Sequence, residues 1–166
     1  MKEKNRILSA EKVFRIMKRM AVEIYENNLS AQEVILVGIY DQGYKIAEYI
    51  QGELKSIDVA FKVSLVQLEI DKSNPSGEIQ IDNELAFFNG KSIVIVDDVL
   101  NTSRTLAYSL RFLLQTNIEK VETAVLINRS HSKFPISSTY SGYELATTLT
   151  DHIEVRLEGE IGAFIY

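Results

Sequence analysis

Cysteine is absent from this chain. That excludes disulfides, thiolate nucleophiles and the common cysteine zinc sites. Histidine is nearly absent: only His131 and His152 can supply imidazole, so a multi-histidine metal centre is not expected. No Walker A segment and no GxGxxG occurs, which removes the usual support for nucleoside triphosphate or dinucleotide binding. No uninterrupted apolar stretch is long enough to span a bilayer. The start, Met1 to Arg6, is charged and no apolar h-region follows it. These absences lead us to expect a cytoplasmic protein without a membrane segment. A broad basic field is also lacking: the net charge is -5, which argues against general nucleic-acid binding.

What is present suits one domain with a real core. The chain has 166 residues, 46% of them hydrophobic, and no internal repeat or low-complexity segment. Ser9 reads as an N-cap with Glu11 in the first turn, and Val13, Ile16, Met17, Met20 and Ile24 follow at helical spacing. Asn27 and Asn28 suit the stop. The basic stretch from Lys12 to Arg19 then falls on the solvated face of that helix. Val34 to Ile39 is a continuous apolar run, as for a strand covered on both faces. A helix pattern runs from about Tyr44 to Leu54, a strand is expected over 59–68, and residues 69–84 are polar and turn-rich. That long segment reads equally as a surface hairpin or an active-site lid. Gly90 turns the chain into a strand from Ser92 to Val96, a helix follows over 105–115, and another strand over 121–127. Alternating strands and helices from 34 to 127 imply an α/β fold with a parallel sheet and right-handed crossovers. Beyond Pro135, short runs at 153–157 and 163–165 look like strands.

The most informative segment is 93–105, Ile-Val-Ile-Val-Asp-Asp-Val-Leu-Asn-Thr-Ser-Arg-Thr. A buried run ends in Asp97 and Asp98, at the strand end where open α/β sheets bind ligands. A hydroxyl-rich loop then leads into a helix, whose first N–H groups form an anion cradle. The acids can grip a diol or a metal, or can simply cap or turn the chain. Asn101, Thr102, Ser103, Arg104 and Thr105 form the phosphate nest, to which hydroxyl donors contribute.

This segment resembles the 5-phosphoribosyl 1-pyrophosphate (PRPP) signature of type I phosphoribosyltransferases. The resemblance extends to Leu36–Ile39 with Gly43 and Ala47, and to 125–131 with Pro135, Ile136, Tyr140 and Gly142. In that later part it is nearest the branch of bifunctional pyrimidine-operon regulators and uracil phosphoribosyltransferases. It covers about residues 9–166. It implies a parallel-sheet core over about 9–128 and a small C-terminal hood over about 129–166, as one domain. It implies PRPP and a nucleobase or nucleotide as partners, Mg²⁺ as the cofactor, and a homodimer or higher homo-oligomer. Asp97 and Asp98 would be catalytic. They would hold the ribose hydroxyls and stabilise charge on the ribosyl ring, and they would reach the metal through water rather than by a direct side-chain cage. Residues 101–105 would bind the 5-phosphate, and Tyr40, Asp41, Gln42 and Gly43 would form the pyrophosphate loop. Ile127, Asn128 and Arg129 would lie by the base, for which uracil is the first expectation.

Four departures from the family pattern carry chemical weight. Ser103 stands where the family has Gly: it is strained if the position needs φ > 0, and adds a phosphate donor if it does not. Asp41-Gln42 replaces Thr-Arg, which puts a carboxylate beside a pyrophosphate. The long loop lacks the family's arginine, and Lys72 is the only basic residue between 63 and 90. Asn101 cannot act as a general base, which disfavours a 6-oxopurine mechanism of that type. Ser132, Ser137 and Ser138 fall where RNA-binding relatives carry basic side chains, so RNA binding is not expected. His131 reads more readily as a structural residue than as a base-polarising one. The regulatory alternative, a nucleotide-binding protein of this fold with little or no turnover, follows from Asp41-Gln42 and the missing loop arginine.

Overall fold

The apolar runs at 34–39 and 93–96, the second of which ends in the acid pair, form the two central neighbouring strands of the main sheet. In the computed structural model, which describes residues 4–148 and 150–166, the chain order is β1 (Asn5–Ser9), α1 (Ala10–Asn27), β2 (Glu33–Ile39), α2 (Gln42–Ser56) and β3 (Lys62–Ile70). It continues with β4 (Ile79–Ile81), a 3-10 turn at Leu85–Phe88, β5 (Ser92–Leu100) and α3 (Arg104–Leu113). The last strands are β6 (Lys120–Asn128), β7 (Tyr140–Glu144), β8 (Ile153–Arg156) and β9 (Gly162–Ile165). The main sheet has the order β4-β3-β2-β5-β6-β7 and is parallel except at β4. Central β2 and β5 are buried on both faces, which is why they read as unbroken apolar runs rather than as alternations.

The two faces carry different cores. Leu36, Val94 and Val96 point to the side covered by α1 and α2, where Met17, Met20, Ile24, Ile46 and Ile50 are buried. Ile35, Val37, Ile93 and Ile95 point to the other side, with Phe88, Leu106 and Leu113. The five buried side chains of α1 stabilise by roughly 10 kcal/mol gross, before conformational entropy is subtracted. Ser9 caps this helix, accepting from the Lys12 N–H at 3.4 Å. The basic side chains from Lys12 to Arg19 face solvent, where Arg19 pairs with Glu23 at 2.6 Å.

Several boundaries differ from the sequence reading. The strand expected at 59–68 begins at Lys62, because Asp58 turns the chain with φ 53° and pairing with β2 starts at Glu33↔Lys62. α2 begins at Gln42, so half of the expected loop is already helical. β5 continues through both acids to Leu100, because β6 keeps pairing with it as far as Leu100↔Asn128. The 69–84 segment is a hairpin: β4 returns antiparallel on β3, with Ile70 opposite Ile79. The C-terminal part also divides differently. β7 joins the main sheet beside β6, while β8 and β9 form a separate antiparallel sheet with the N-terminal β1. This small sheet packs β8 against β5, with Ile153 and Val155 in the core on the α1 and α2 side.

Candidate functional site

Parallel pairing on both sides of β5 brings Asp97 to the carboxyl edge of the sheet, between the ends of β2 and β6. Its carboxylate is almost wholly buried (3% exposed) and accepts the Asp98 N–H at 2.9 Å. Lys72, from the β3–β4 hairpin, lies over the pair. Its Nζ is 3.0 Å from Asp97 Oδ1 and 3.3 Å from Asp98 Oδ1. Burial and the neighbouring Asp98 charge push the Asp97 carboxyl up to about 7. Burial also pushes Asp98 up, but Lys72 and the hydrogen bonds from Asp97 and Val99 outweigh it and hold Asp98 below the usual carboxylate range. Burial pulls Lys72 down, and its two carboxylate partners more than restore it, so it stays firmly protonated.

Beside the acids, residues 101–105 wrap the N-terminus of α3 around a cleft of about 230 Å³. Lys72, Asp97, Asn101, Thr102, Ser103, Arg104 and Thr105 line it. Ser103 is in the left-handed region, φ 64° and ψ 6°. Its hydroxyl is engaged within the protein. It donates to the Ile136 carbonyl at 2.7 Å and contacts Ser132 Oγ at 2.9 Å. Thus Ser103 shows the strain that φ > 0 brings, and its side chain braces the turn rather than serving as a free phosphate donor. The Thr102 carbonyl accepts from the Lys133 and Phe134 N–H groups at 2.9 and 3.2 Å, which fixes the turn from behind. The first-turn N–H groups of α3 have no intrahelical acceptor; that of Arg104 donates to Thr102 Oγ1 at 3.3 Å, and such a helix start can cradle an anion.

The segment 40–43 abuts the same edge. Gly43 packs on the Val96–Asp97 backbone so closely that no side chain fits there. Tyr40 is exposed and borders a neighbouring cleft with Glu69, Asp71 and Glu78. The Tyr40–Asp41 peptide is cis. Asp41 does not stand uncompensated: Lys45, one helical turn on, pairs with it at 3.0 Å and also reaches Glu158 at 3.4 Å. Gln42 donates to Asp41 Oδ2 at 3.0 Å, while its own Oε1 is buried without a hydrogen-bond partner among the described residues.

The residues assigned to the base are not grouped around this cleft. Ile127 is a core side chain with no exposure. Asn128 accepts the Ser130 N–H at 2.9 Å and donates to Glu144 at 3.2 Å. Arg129 is buried (5% exposed) and clasps the chain ahead of β8. Its guanidinium donates to Thr147 Oγ1 at 2.9 Å and to the Thr148 and Asp151 carbonyls at 3.0 Å. With those donors committed, Arg129 stands in this structure as a brace rather than a free base contact. His131 contacts the Thr147 carbonyl at 3.0 Å, in keeping with its structural reading. A further cleft of about 470 Å³ is lined by Arg129 itself with Ser130, His131, Glu144 and Thr147.

No group of three metal-ligating side chains occurs among the described residues. The acid pair nevertheless defines a cation position, which Lys72 Nζ occupies at 3.0 and 3.3 Å. With Lys72 displaced, two adjacent carboxylates at the edge of this cleft would fit a hard cation that keeps waters and takes its remaining ligands from a substrate. Lys72 and Lys45 are the site residues that sequence reasoning missed as partners. Lys72 stood out as a lone base, but its partners are distant in sequence and made only by the hairpin. Lys45 had a readable signal, its i,i+4 spacing from Asp41.

The family model of the phosphoribosyl transferase domain matches residues 3–158. The bifunctional protein PyrR of Macrococcus caseolyticus is 31% identical over 163 residues, covering 94% of this chain and 93% of its own length. The bifunctional protein PyrR of Fusobacterium nucleatum is 32% identical over 159 residues, covering 92% and 90%. Among solved structures, the hypoxanthine phosphoribosyltransferase of Trypanosoma cruzi superposes with a TM-score of 0.74 at 16% identity, over 85% of this chain and 81% of that one. A hypoxanthine phosphoribosyltransferase from Staphylococcus aureus gives 0.72 at 18% identity, over 87% and 79%.

Proposed function

Since the chain belongs to the phosphoribosyl transferase domain family, we propose that it binds PRPP with Mg²⁺ and transfers the phosphoribosyl group to a nitrogenous base, uracil first among those to test. The observation that supports this most directly is a shared cleft. Asp97 and the α3 turn at 101–105 line one cavity, with Lys72 joining Asp97 to Asp98 at its edge and Gly43 packed on the Asp97 backbone. A diol and a phosphate on one pentose are the groups that fit both at once.

In this reading Asp97 and Asp98 hold the ribose 2- and 3-hydroxyls and face the positive charge that develops at C1. The first-turn N–H groups of α3, with Thr102 and Thr105, hold the 5-phosphate. The C1–O bond to pyrophosphate breaks, and the pyrophosphate keeps the electron pair. A bond from C1 to a base nitrogen forms, and that nitrogen's proton goes to solvent. Mg²⁺, when bound, neutralises the pyrophosphate charge. Lys45 holds Asp41 in an ion pair, which reduces its repulsion of the leaving group.

Calorimetry tests the binding half: Mg²⁺-dependent PRPP binding is expected, and Asp97→Asn with Asp98→Asn should abolish it. Unchanged binding in the double variant would remove the reading. Pyrophosphate release across a panel of bases tests turnover. A regulatory reading, in which the same site holds a nucleotide and turns over little, is favoured by the Asp41 carboxylate at the pyrophosphate turn. Robust release with any base would exclude it.

A further inference from the structure

The cation position on the acid pair is filled by the protein itself, and this is the feature of the site that phosphoribosyl transfer does not require. Lys72 Nζ bridges one carboxylate oxygen of each aspartate, at 3.0 and 3.3 Å. Asp97 and Asp98 are precisely the groups assigned above to the ribose hydroxyls and the metal, so the ammonium and the substrate compete for the same oxygens. The loop that delivers Lys72 is built to hold it there. Asp71 Oδ1 accepts from the Ser73 N–H at 2.8 Å and from the Ser73 hydroxyl at 2.6 Å, and the Asn74 N–H donates to the Asp71 carbonyl at 3.0 Å. Gly77 N–H closes a second turn onto the Asn74 carbonyl at 3.0 Å. These local turns sit between β3 and β4, beyond the Ile70–Ile79 pair, so displacing Lys72 from the acids requires no strand of the main sheet to unpair.

We propose that Lys72 is a resident counter-ion that occupies the metal and diol position of the acid pair and must be displaced before substrate enters. Resting on the PRPP reading above, this deepens it: the residue sets how tightly the empty site takes a divalent cation. A free divalent ion has to compete with a tethered ammonium whose local concentration is high and fixed. Metal alone is therefore held weakly. A metal that arrives with pyrophosphate and ribose brings enough additional contacts to win the position. The loop lysine acts as a positioning residue for the acid pair, keeping two buried carboxylates paired and oriented until that exchange.

Mn²⁺ titration without PRPP, followed by electron paramagnetic resonance of the free ion, tests this without any turnover. Lys72→Met is expected to bind Mn²⁺ about tenfold more tightly than the wild type or more, since one unit charge in contact with two carboxylates is removed. Lys72→Arg, which keeps the charge, should stay near the wild type. Adding Asp97→Asn and Asp98→Asn to Lys72→Met should erase the gain. Lys91→Met, at the opposite end of the sheet, makes the same change in net charge and should leave Mn²⁺ affinity unaltered. Equal or weaker Mn²⁺ binding by Lys72→Met overturns the proposal, as does an equal gain in Lys91→Met. Lys72→Gln repeats the test if the methionine variant does not fold. PRPP titration of Lys72→Met is read separately. A Mn²⁺ gain without PRPP binding would sink the substrate assignment and leave the counter-ion intact.

Discussion

A Cβ built on Gly43 would lie 2.9 Å from the Asp97 Cα and 2.6 Å from the Val96 carbonyl oxygen. The first turn of α2 is therefore seated on the backbone of the acid pair, and those neighbours are main-chain atoms that cannot swing aside. Gly43→Ala is expected to push the helix off β5, costing about 2 kcal/mol through overpacking and lowering PRPP affinity with it. Gly52, also in α2, has open space around its Cβ position, so Gly52→Ala should instead stabilise by about 0.5–1 kcal/mol. Urea unfolding and PRPP calorimetry on the two variants check this. Wild-type PRPP binding by Gly43→Ala would show that the contact does not position the site.

The raised Asp97 carboxyl gives a stability prediction with a definite sign. Its ordinary value is 3.8, and burial with Asp98 beside it moves it to about 7. A group raised by folding favours the folded state below its unfolded value and loses that advantage as pH rises through its folded value. The wild type should thus lose stability from Asp97 between about pH 4 and 7, while Asp98, which is lowered, makes its opposite contribution only as pH falls below its ordinary value. Asp97→Asn cannot ionise. Relative to the wild type it should gain on the order of 1 kcal/mol more at pH 8 than at pH 5. Denaturation series at the two pH values decide it: a gain of the same size at both would mean that Asp97 ionises freely in the fold.

The parts of this fold that are legible in the sequence are those whose signal is local. β2 and β5 are covered on both faces, so they stand out as apolar runs, and Asp97 and Asp98 stand out because they end one. The Ser9 cap and the Gly90 turn, with φ 68°, are single-residue signals of the same kind. β1 is not legible: Asn5–Ser9 is short and mostly polar, and it becomes a strand only because β9 pairs with it from the far end of the chain. β7 is hidden for a similar reason, its partner β6 deciding its place. Within the candidate site, the 101–105 turn is readable as hydroxyls before a helix. The Lys72 bridge is not, since its partners lie 25 and 26 residues away. Arg129 carries the opposite lesson. Its position past a strand end points toward a ligand, but the chain ahead of β8 supplies three acceptors that capture it.

Ser103 sets two opposing effects against each other, and substitution can separate them. Its φ of 64° costs a residue with a Cβ about 1 kcal/mol relative to glycine. Its hydroxyl returns a similar amount, about 1 kcal/mol, through the bond to the Ile136 carbonyl. Ser103→Gly loses the bond but also the strain, so it should lie near the wild type. Ser103→Ala keeps the strain and loses the bond, and should be about 1 kcal/mol less stable than the glycine variant. Chemical denaturation ranks the three. An alanine variant as stable as glycine would show that the left-handed turn carries no cost here.

Arg129 separates a brace from a base contact. Its buried guanidinium satisfies Thr147 Oγ1 and two carbonyls, so removing it leaves acceptors unpaired. Arg129→Met should lower stability by about 2–4 kcal/mol. Arg129→Lys keeps the charge but cannot reproduce the fork of donors, and should recover only part of that loss. Because the side chain is turned to Thr147, Thr148 and Asp151 rather than to the cleft beside Asp97, the lysine variant is expected to keep a near wild-type Michaelis constant for its base. Its unfolding midpoint falls, and proteolysis of the chain near Thr147 and Thr148 becomes faster. A base Michaelis constant that rises sharply in Arg129→Lys, with no change in unfolding midpoint, would return Arg129 to the base site.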